Sequence, residues 1–480
     1  MSNLSELLPA GAGAKSAEFV ASGTLGSGVT VALNSDGTVE AVSGAEEGVG
    51  SPSVFEAATI IYNSATFDSN SNKVVIAYRD STNANYGTAI VGTVSGTSIS
   101  FGTAVVFATT NSQDMSATFD SNSNKVVIFY RDNGNSNYGT AIVGTVSGTS
   151  ISFGTAVVFE NAATYSGAVT YDSTNNKIVI AYRDGGNSFY GTAIVGTVSG
   201  TSISFGSAVV FESASAPAIS TTYDSTNGKV VIAYSDGGNA NYGTAIVGTV
   251  SGTSISFGSA ALFNSGNSDT ISSAYDSNAQ KIVVVFRERA VGNYGVAVVG
   301  TVSGTSISFG TPVFFTSSNT SPSISPTTYD TNANKIVIFY KNVTAVNGSV
   351  IVGTVSGTSI SFGAITVFTA SSVDNFASTY DSNSNKVVTA YRDVSNSQYG
   401  TSIVFQNASS NNTDFIGITD QAIADTATGA VIVQGGVSDK VTGLTTGSDY
   451  YIQADGSIST TVSSVPAGRA LSSTSILLEG

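Results

Sequence analysis

The chain has 480 residues, of which 41% are hydrophobic, 10% are charged and 52 are glycine, a balance typical of β-structure with many tight turns. It contains no Cys, His or Trp, which excludes disulfides, thiolate or imidazole metal ligands and every nucleophile that depends on a histidine base. The 32 acidic residues outnumber the 17 basic ones and give a net charge of −15, so we expect no surface for nucleic acid or for an anionic membrane.

The N-terminal region shows no targeting or membrane signal. It lacks a charged segment followed by an apolar run of signal-peptide length, and no stretch of the chain is long enough to span a membrane, so we expect neither Sec-dependent export nor membrane insertion. After residues 1–18, the segment 19–50 contains a pattern of short strands around an Asn-Ser-Asp-Gly turn, FVASGTLGSGVTVALNSDGTVEAV. This pattern predicts a β-hairpin segment.

A unit of about 52 residues occurs seven times in succession between 51 and 405. Each copy contains an aromatic residue followed by Asp, and a Lys stands five residues after that Asp. The Asp residues recur at spacings of 52, 52, 52, 52, 54 and 51, at Asp68, Asp120, Asp172, Asp224, Asp276, Asp330 and Asp381. Self-similarity at a fixed period of this size indicates a repeat architecture.

The third unit, residues 171–212, shows what one repeat builds. Runs rich in Val, Ile, Tyr and Phe alternate with Gly, Asn and Ser clusters, which predicts a strand ending at Tyr171 and further strands at 178–182, 192–198 and 203–211. Four strands per repeat are typical of a propeller blade. The sequence therefore predicts an all-β fold whose residues 51–405 form a seven-bladed β-propeller; a β-solenoid or a string of independent small domains fits the repeat length less well.

The two ends of the repeat region complement each other. The string GTVSGTSISFG occurs in six units, but the seventh unit breaks off at Phe405 without it. Upstream of the first unit, SPSVFE at 51–56 is similar to SAVVFE at 207–212. We expect the N-terminal strand to complete the last blade, which would remove an open sheet edge.

Residues 406–480 have the same Gly-punctuated, alternating character as residues 19–50, in segments such as FIGITDQAIADTATGAVIVQGG. The termini of closed domains tend to lie close together, so we expect one small β-domain assembled from both ends, with the propeller inserted in it. Two separate end domains are the alternative.

Several segments resemble virion proteins of tailed bacteriophages, particularly tail-fibre or head-decoration proteins of marine phages. They are the opening MSNLSELLP, the hairpin SGVTVALNSDGTVEAV, the repeated FDSNSNKVVIAYRD and GTVSGTSISFG, and the closing GLTTGSDYYIQADGSISTTVSSVPAGRALSSTSILLEG. The resemblance implies a structural protein at the particle surface, with residues 1–18 as an attachment segment, the end segments binding other virion proteins and the propeller facing outward. Whether the chain forms a homo-oligomer stays open.

The loop at 68–73 is a weak candidate for a metal site. Asp68, Asn70 and Asn72 place oxygen atoms at alternate positions, as calcium prefers. The alternative is a hairpin turn in which Asp and Asn side chains bind local backbone amides. The set is not uniform, since Thr174 occupies the third position in one repeat, so we expect no metal and no other cofactor.

An Arg-Asp pair ends the second strand of several repeats, and a Tyr follows before the third strand. These side chains are candidates for holding sugar hydroxyls and stacking on pyranose rings, although inter-blade ion pairs and turn packing would use the same residue types. The candidates are Arg79, Asp80, Tyr86, Arg131, Asp132, Tyr138, Arg183, Asp184, Tyr190, Arg392, Asp393 and Tyr399.

One class of enzyme survives the composition, a hydrolase that uses two carboxylates. Glu is rare in the repeats, the repeated Asp residues look like turn formers, and the Trp of a sialidase Asp-box is missing. We therefore expect no enzyme, but a non-enzymatic phage virion protein whose propeller serves adhesion or binds a host-surface glycan. The alternatives are a structural spacer or cap that binds no ligand, and a secreted lectin-like adhesin.

Overall fold

The computed structural model describes residues 15–316 and 326–479, and these residues form an all-β protein. The helical structure within them is limited to a 3-10 turn at Asn412–Asp414, and no helix in these ranges is long and apolar enough to cross a membrane. The chain divides into two compact units. One is Gly48–Gln406, and the other comprises the flanking segments, described over residues 15–47 and 407–479.

The second strand of each repeat is the most buried element. In the first repeat, five consecutive residues from Val74 to Tyr78 are completely buried. A strand that packs on both faces is expected to be continuously apolar, which explains the KVVIAY pattern. The second strands are Lys73–Asp80, Lys125–Asp132, Lys177–Asp184, Lys229–Asp236, Lys281–Glu288, Lys335–Asn342 and Lys386–Asp393.

The third strand pairs antiparallel with the second across a tight hairpin, with Val74 opposite Gly92 and Asp80 opposite Tyr86 in the first repeat. Left-handed backbone at Ala84 and Asn85 closes this hairpin. The third strands are Tyr86–Ser95, Tyr138–Ser147, Tyr190–Ser199, Tyr242–Ser251, Tyr294–Ser303, Asn347–Ser356 and Tyr399–Gln406.

A bridging strand connects each repeat to the next. Its first half pairs with the third strand of one repeat, as Val157 does with Ala141, and its second half pairs with the second strand of the following repeat, as Asp172 does with Lys177. Four bridging strands are continuous, at Ser53–Asp68, Val105–Asp120, Val157–Asp172 and Ala261–Asp276. Three are in two parts, at Val209–Ser215 with Ile219–Asp224, Val313–Phe314 with Thr328–Asp330, and Thr366–Thr369 with Val373–Asp381.

The prediction of one fourth strand at 203–211 is wrong, because this segment is interrupted after Phe205. The Gly206 amide donates to the Val195 carbonyl, and the carbonyl oxygen of Thr253 in the next repeat occupies the space that a Cβ atom on Gly206 would need. Pairing resumes at Val209, where the bridging segment begins. The short strands before this break are Ser98–Phe101, Ser150–Phe153, Ser202–Phe205, Ser254–Phe257, Ser306–Phe309 and Ser359–Phe362.

The first bridging strand pairs with the last repeat, as the sequence predicts. Ser53 lies opposite Ser402, and the two-residue strand Gly48–Val49 pairs with Phe405 and Gln406. The compact unit that contains the repeats begins at Gly48, three residues before the predicted position 51. One apolar cluster contains both Ile76 of the first repeat and Val404 of the seventh.

The smaller unit contains two five-stranded sheets. In the first sheet, strands from both ends of the chain pair, since Ser16–Val20 lies beside Thr428–Val433 and Thr30–Leu33 beside Phe415–Thr419, with Val39–Ala41 at the edge. The second sheet comprises Val437–Ser438, Asp449–Ile452, Ile458–Ser459, Pro466–Ser472 and Ser475–Leu478. Gly44–Ala45 and Ser409–Ser410 form a further pair. Residues 1–14 of the expected attachment segment lie outside the described residues.

Candidate functional site

The weak metal candidates form a backbone turn. Asp68 is 2% exposed, and its Oδ1 accepts hydrogen bonds from the amides of Asn70 at 2.9 Å and Ser71 at 3.0 Å. Asn72 has left-handed backbone with φ 54°, and the side chains of Asn70 and Asn72 are exposed. Across the described residues, no cluster of three or more Asp or Glu side chains could hold a metal ion. The Asp68 carboxylate therefore serves the turn.

The Asp residues of the repeated Arg-Asp pairs also bind local backbone. Asp80 Oδ1 accepts hydrogen bonds from the Thr82 amide, the Thr82 hydroxyl and the Asn83 amide. Asp132 and Asp184 each accept one from the amide two residues later, and Asp393 accepts two, from Ser395 and Asn396. These carboxylates fix the hairpin between the second and third strands, as Asp does in Asx turns.

The Arg and the Tyr of one repeat lie on opposite faces of the sheet. Asp80 is directly opposite Tyr86, whereas Arg79 is directly opposite Gly87, and neighbouring positions of a strand face opposite sides. The same register holds for the other candidates, where Tyr138, Tyr190 and Tyr399 lie opposite Asp132, Asp184 and Asp393. The structure thus brings each half-buried Tyr together with its Asp and leaves the Arg on the other face.

The arginines instead contact the bridging strands. Arg79 lies 5.0 Å from the centre of the Tyr62 ring, and Arg392 forms two hydrogen bonds of 2.7 Å with the Asp374 carboxylate. Arg131 donates to Gln113 and lies 3.4 Å from an Asp114 carboxylate oxygen. Five of the seven repeats have Arg at this position, the remaining two having Ser235 and Lys341.

Beside the five arginines, the bridging strands carry a bulge that the sequence did not reveal. The pairing register shifts at this point, for example between Ile61 and Ser64, and the residue in the bulge has left-handed backbone. The residues with positive φ are Tyr62, Asp114, Ser166, Thr270 and Asn375. Such backbone is strained for residues other than Gly and is concentrated at functional sites in proteins.

These bulges converge on one cavity of about 430 Å³, which we call the shared cavity. It is lined by residues of six repeats, with polar groups from Tyr62, Asn63, Asp114, Ser166, Asp269, Thr270 and Asn375, and with Met115, Ile271 and Phe376 as apolar walls. An adjoining cavity of about 360 Å³ uses several of the same residues and adds Pro326 of the sixth repeat. Carboxylates and hydroxyls beside an aromatic ring can hydrogen-bond a polyhydroxylated ligand and stack on its apolar face.

Side chains of the bridging strands link neighbouring repeats around this cavity. Ser64 Oγ accepts a hydrogen bond of 2.9 Å from the Ala117 amide of the next repeat, and Ser116 Oγ accepts one of 3.2 Å from the Val169 amide. Asn63 of the first repeat donates to the Ala390 carbonyl of the seventh at 3.2 Å. These bonds hold the lining at fixed spacing, which pre-organises the cavity.

Two Asp residues of the shared cavity are held by arginine. The Arg287 guanidinium donates to both carboxylate oxygens of Asp269. Asp114, beside Arg131, is 21% exposed, and burial raises its pKa above the ordinary value although the arginine acts in the opposite direction. Sequence comparison of the repeats missed these residues because they differ between copies; the signal would have been the variable positions six and seven residues before each repeated Asp.

The smaller unit has an apolar cavity of about 410 Å³, lined by residues that include Phe19, Leu33, Phe415 and Leu478. Its polar lining is limited to Gln434 and Glu479 among the described residues. It therefore offers few groups that could orient a polar ligand.

Comparison with known proteins establishes the fold but no family. No protein-family model matches the chain, and no curated protein matches it. Among solved structures, the chain is similar to the BP39L lectin from Burkholderia pseudomallei, with 8% sequence identity and a TM-score of 0.51. The similarity covers 72% of this chain and 98% of that one. The repeated antiparallel sheets thus have a β-propeller-like architecture.

Proposed function

We propose that this protein is a non-enzymatic, carbohydrate-binding β-propeller that serves adhesion. The observation that carries this proposal is the shared cavity, where strained bridging-strand bulges bring carboxylates, hydroxyls and the Tyr62 ring to one place. The similarity in fold to a protein described as a lectin supports the same function. The ligand would be a saccharide from a cell surface, with its hydroxyls bound by Asp114, Asp269 and their neighbours.

The propeller is proposed to have seven blades, closed by the first bridging strand, and to be inserted in a small β-domain built from both chain ends. The pairing of Ser53–Asp68 with Tyr399–Gln406 supports closure, since it reproduces the junction found between successive repeats. The bond from Asn63 to Ala390 supports it as well. The pairing of Ser16–Val20 with Thr428–Val433 supports the shared end domain.

Binding at the shared cavity can be tested on a glycan array with the full-length chain. We expect Asp114→Asn and Thr270→Val, both close in size to the original residues, to weaken the wild-type signal about tenfold each, the effect of one lost hydrogen bond. Asp439→Asn, on an exposed side chain of the smaller unit, is the matched control. If both cavity variants bind normally while Tyr86→Ala and Tyr138→Ala do not, the saccharide binds at these tyrosines and the cavity assignment is wrong.

The proposed setting is the surface of a tailed-phage particle, as a fibre or decoration protein whose end segments contact other virion proteins. The support for this setting is the resemblance of the terminal and repeated segments to virion proteins of tailed bacteriophages. Immunogold electron microscopy of the purified particle with an antibody against Gly48–Gln406 tests it. Label on the head or tail is expected, whereas label confined to producing cells or to the medium would favour a secreted adhesin.

A purely structural spacer is the second candidate function, because the repeated Asp side chains are occupied by turns and three of the five arginines beside the bulges by ion pairs. Normal incorporation into particles together with a silent glycan array would favour it over adhesion.

A further inference from the structure

The five arginines beside the bulges differ in how their charges are compensated. Arg287 and Arg392 each face a carboxylate through two hydrogen bonds, and Arg131 lies near Asp114. Arg79 and Arg183 have no carboxylate within 4 Å in the described part of the chain. Two of the five positive charges, in the first and third repeats, are therefore uncompensated within the described residues.

Both uncompensated arginines are partly buried and held by aromatic rings. Arg79 lies over Tyr62, which lines the shared cavity, and Arg183 lies 4.3 Å from the Phe189 ring centre and 5.8 Å from that of Tyr165. The Nε atoms of Arg79 and Arg183 are buried and have no hydrogen-bond partner within the described residues. Stacking fixes a guanidinium plane and leaves its outer donors available to a ligand.

The arginines form a row rather than isolated charges. The Tyr165 ring lies between Arg131, at 4.8 Å, and Arg183, and Tyr165 directly precedes Ser166 of the cavity lining. Burial lowers the pKa of Arg79, and the neighbouring charges of Arg131 and Arg392 act in the same direction. An anion bound beside this row of arginines would reduce the repulsion between their positive charges.

Phe189 marks the third repeat as different from its neighbours. It is 40% exposed and has left-handed backbone with φ 64°, at a position where the first, second and fourth repeats have Asn85, Asn137 and Asn241. A large side chain in this conformation is unusual. An exposed aromatic ring against an uncompensated arginine can contact the apolar face of a sugar while the arginine binds its charged group.

We propose that the saccharide that binds at the shared cavity is acidic, with one carboxylate or sulfate group bound by Arg79 and another by Arg183, and with a ring of the sugar packed on Phe189. This proposal rests on the carbohydrate-binding function proposed above and adds the class of ligand. Because the chain has a net charge of −15, general attraction of polyanions is not expected, and binding would depend on this one site.

Calorimetric titration of the full-length chain tests the proposal with two pairs of probes, polygalacturonate against its methyl ester, and dextran sulfate against dextran. We expect one acidic probe to bind at least tenfold more tightly than its neutral partner, with an affinity that falls as salt rises. The pair that shows the preference distinguishes a carboxylate from a sulfate.

Variants assign the preference to the two arginines. Arg79→Gln and Arg183→Gln should each reduce affinity for the acidic probe about tenfold, the effect of one charge-assisted hydrogen bond, whereas Arg183→Lys should retain most of it. Arg469→Gln, at an exposed arginine of the smaller unit, is the matched control, and thermal melting shows that each variant is folded.

The outcomes separate this proposal from the one on which it rests. Equal binding of acidic and neutral probes, or a preference that survives both Gln substitutions, would overturn the acidic specificity and leave carbohydrate binding intact. If neither these probes nor the glycan array gives binding, both proposals are wrong.

Discussion

At the scale of residues, hydrogen bonds between a buried Tyr and a partly buried Glu join successive repeats. The Tyr182 hydroxyl donates to Glu160 at 2.9 Å, and Tyr78 and Tyr234 do the same to Glu56 and Glu212. Burial raises the pKa of Glu160 above its ordinary value of 4.5, although the hydrogen bond from Tyr182 acts in the opposite direction. The pair is therefore sensitive to pH.

We expect this glutamate to make stability depend on pH above 4.5. Between the ordinary pKa and the raised one, the folded state binds more protons than the unfolded state, so the free energy of unfolding falls as pH rises. The contribution of Glu160 is fully present below 4.5 and is lost as pH passes the folded pKa. Urea unfolding from pH 4 to pH 7 should show a shallower pH slope for Glu160→Gln, and Tyr182→Phe should extend the slope to higher pH. An unchanged slope in Glu160→Gln would contradict this assignment.

The arginines of the bulges should differ in their effect on stability. Asp374→Ala leaves the partly buried Arg392 without its two hydrogen bonds, which should cost roughly 1–3 kcal/mol. Arg183→Met removes a charge that has no counter-ion among the described residues and retains contact with Tyr165 and Phe189, so it should change the free energy of unfolding by less than about 1 kcal/mol. Urea unfolding of the two variants at neutral pH measures both changes. A larger loss from Arg183→Met would mean that its charge stabilises the fold.

At the scale of elements, two contacting residues vary in size in opposite directions where the second strand of one repeat packs against the bridging strand that leads to the next repeat. Phe129 occupies the space that a Cβ atom on Gly167 would need. One repeat later the sizes are reversed, since Ala181 and Ile219 belong to the same apolar cluster. Ala233 and Ile271 are paired in the same way. Each of these three junctions thus has a large residue on one side and a small one on the other.

A double-mutant cycle at the second junction should show strong coupling. Gly167→Ile overpacks the contact and should cost about 1–3 kcal/mol, and Phe129→Ala leaves a cavity at a cost of about 3–5 kcal/mol. Combining them recreates the Ala181 and Ile219 arrangement, so the double variant should be more stable than the sum of the two losses predicts, by at least about 2 kcal/mol. Urea unfolding of all four proteins measures the coupling, and simple additivity would show that the two residues do not share one space.

The sequence predicted the second and third strands because their signal is local. Runs such as KVVIAY and the turns between them have the same pattern in nearly every copy. The break at Gly206 was missed because it depends on the Thr253 carbonyl of another repeat. The bulges were missed for a different reason, since Tyr62, Asp114 and Ser166 share a backbone conformation but no residue type. Comparison of repeats detects the residues that are constant between copies, whereas an asymmetric site is built from residues that vary between copies.

At the scale of the whole molecule, one glycine contact recurs between successive repeats. A Cβ atom on Gly102 would meet the Thr149 carbonyl, and Gly154 has the same relation to Thr201. Gly50, which precedes the first repeat, has this relation to Thr97 of that repeat, and its amide donates to Val404 of the seventh at 2.8 Å. The segment before the first repeat therefore takes the place of the short strand and the glycine that the seventh repeat lacks, which is the basis for proposing a closed ring.

Closure can be tested by a disulfide, because the chain has no Cys of its own. Ser53 and Ser402 are directly opposite residues of the first bridging strand and the seventh third strand, and opposite positions of this kind come within reach of a disulfide. We expect Ser53→Cys with Ser402→Cys to form an intramolecular disulfide on mild oxidation, detected by mass spectrometry of a non-reduced digest, and to raise the midpoint of thermal unfolding because the closed loop restricts the unfolded chain. Val350 is the equivalent position in the sixth repeat, where it pairs with Thr366, so Ser53→Cys with Val350→Cys should stay reduced. Equal oxidation of the two variants, or oxidation only between molecules, would mean that the first bridging strand does not close the repeat array in solution.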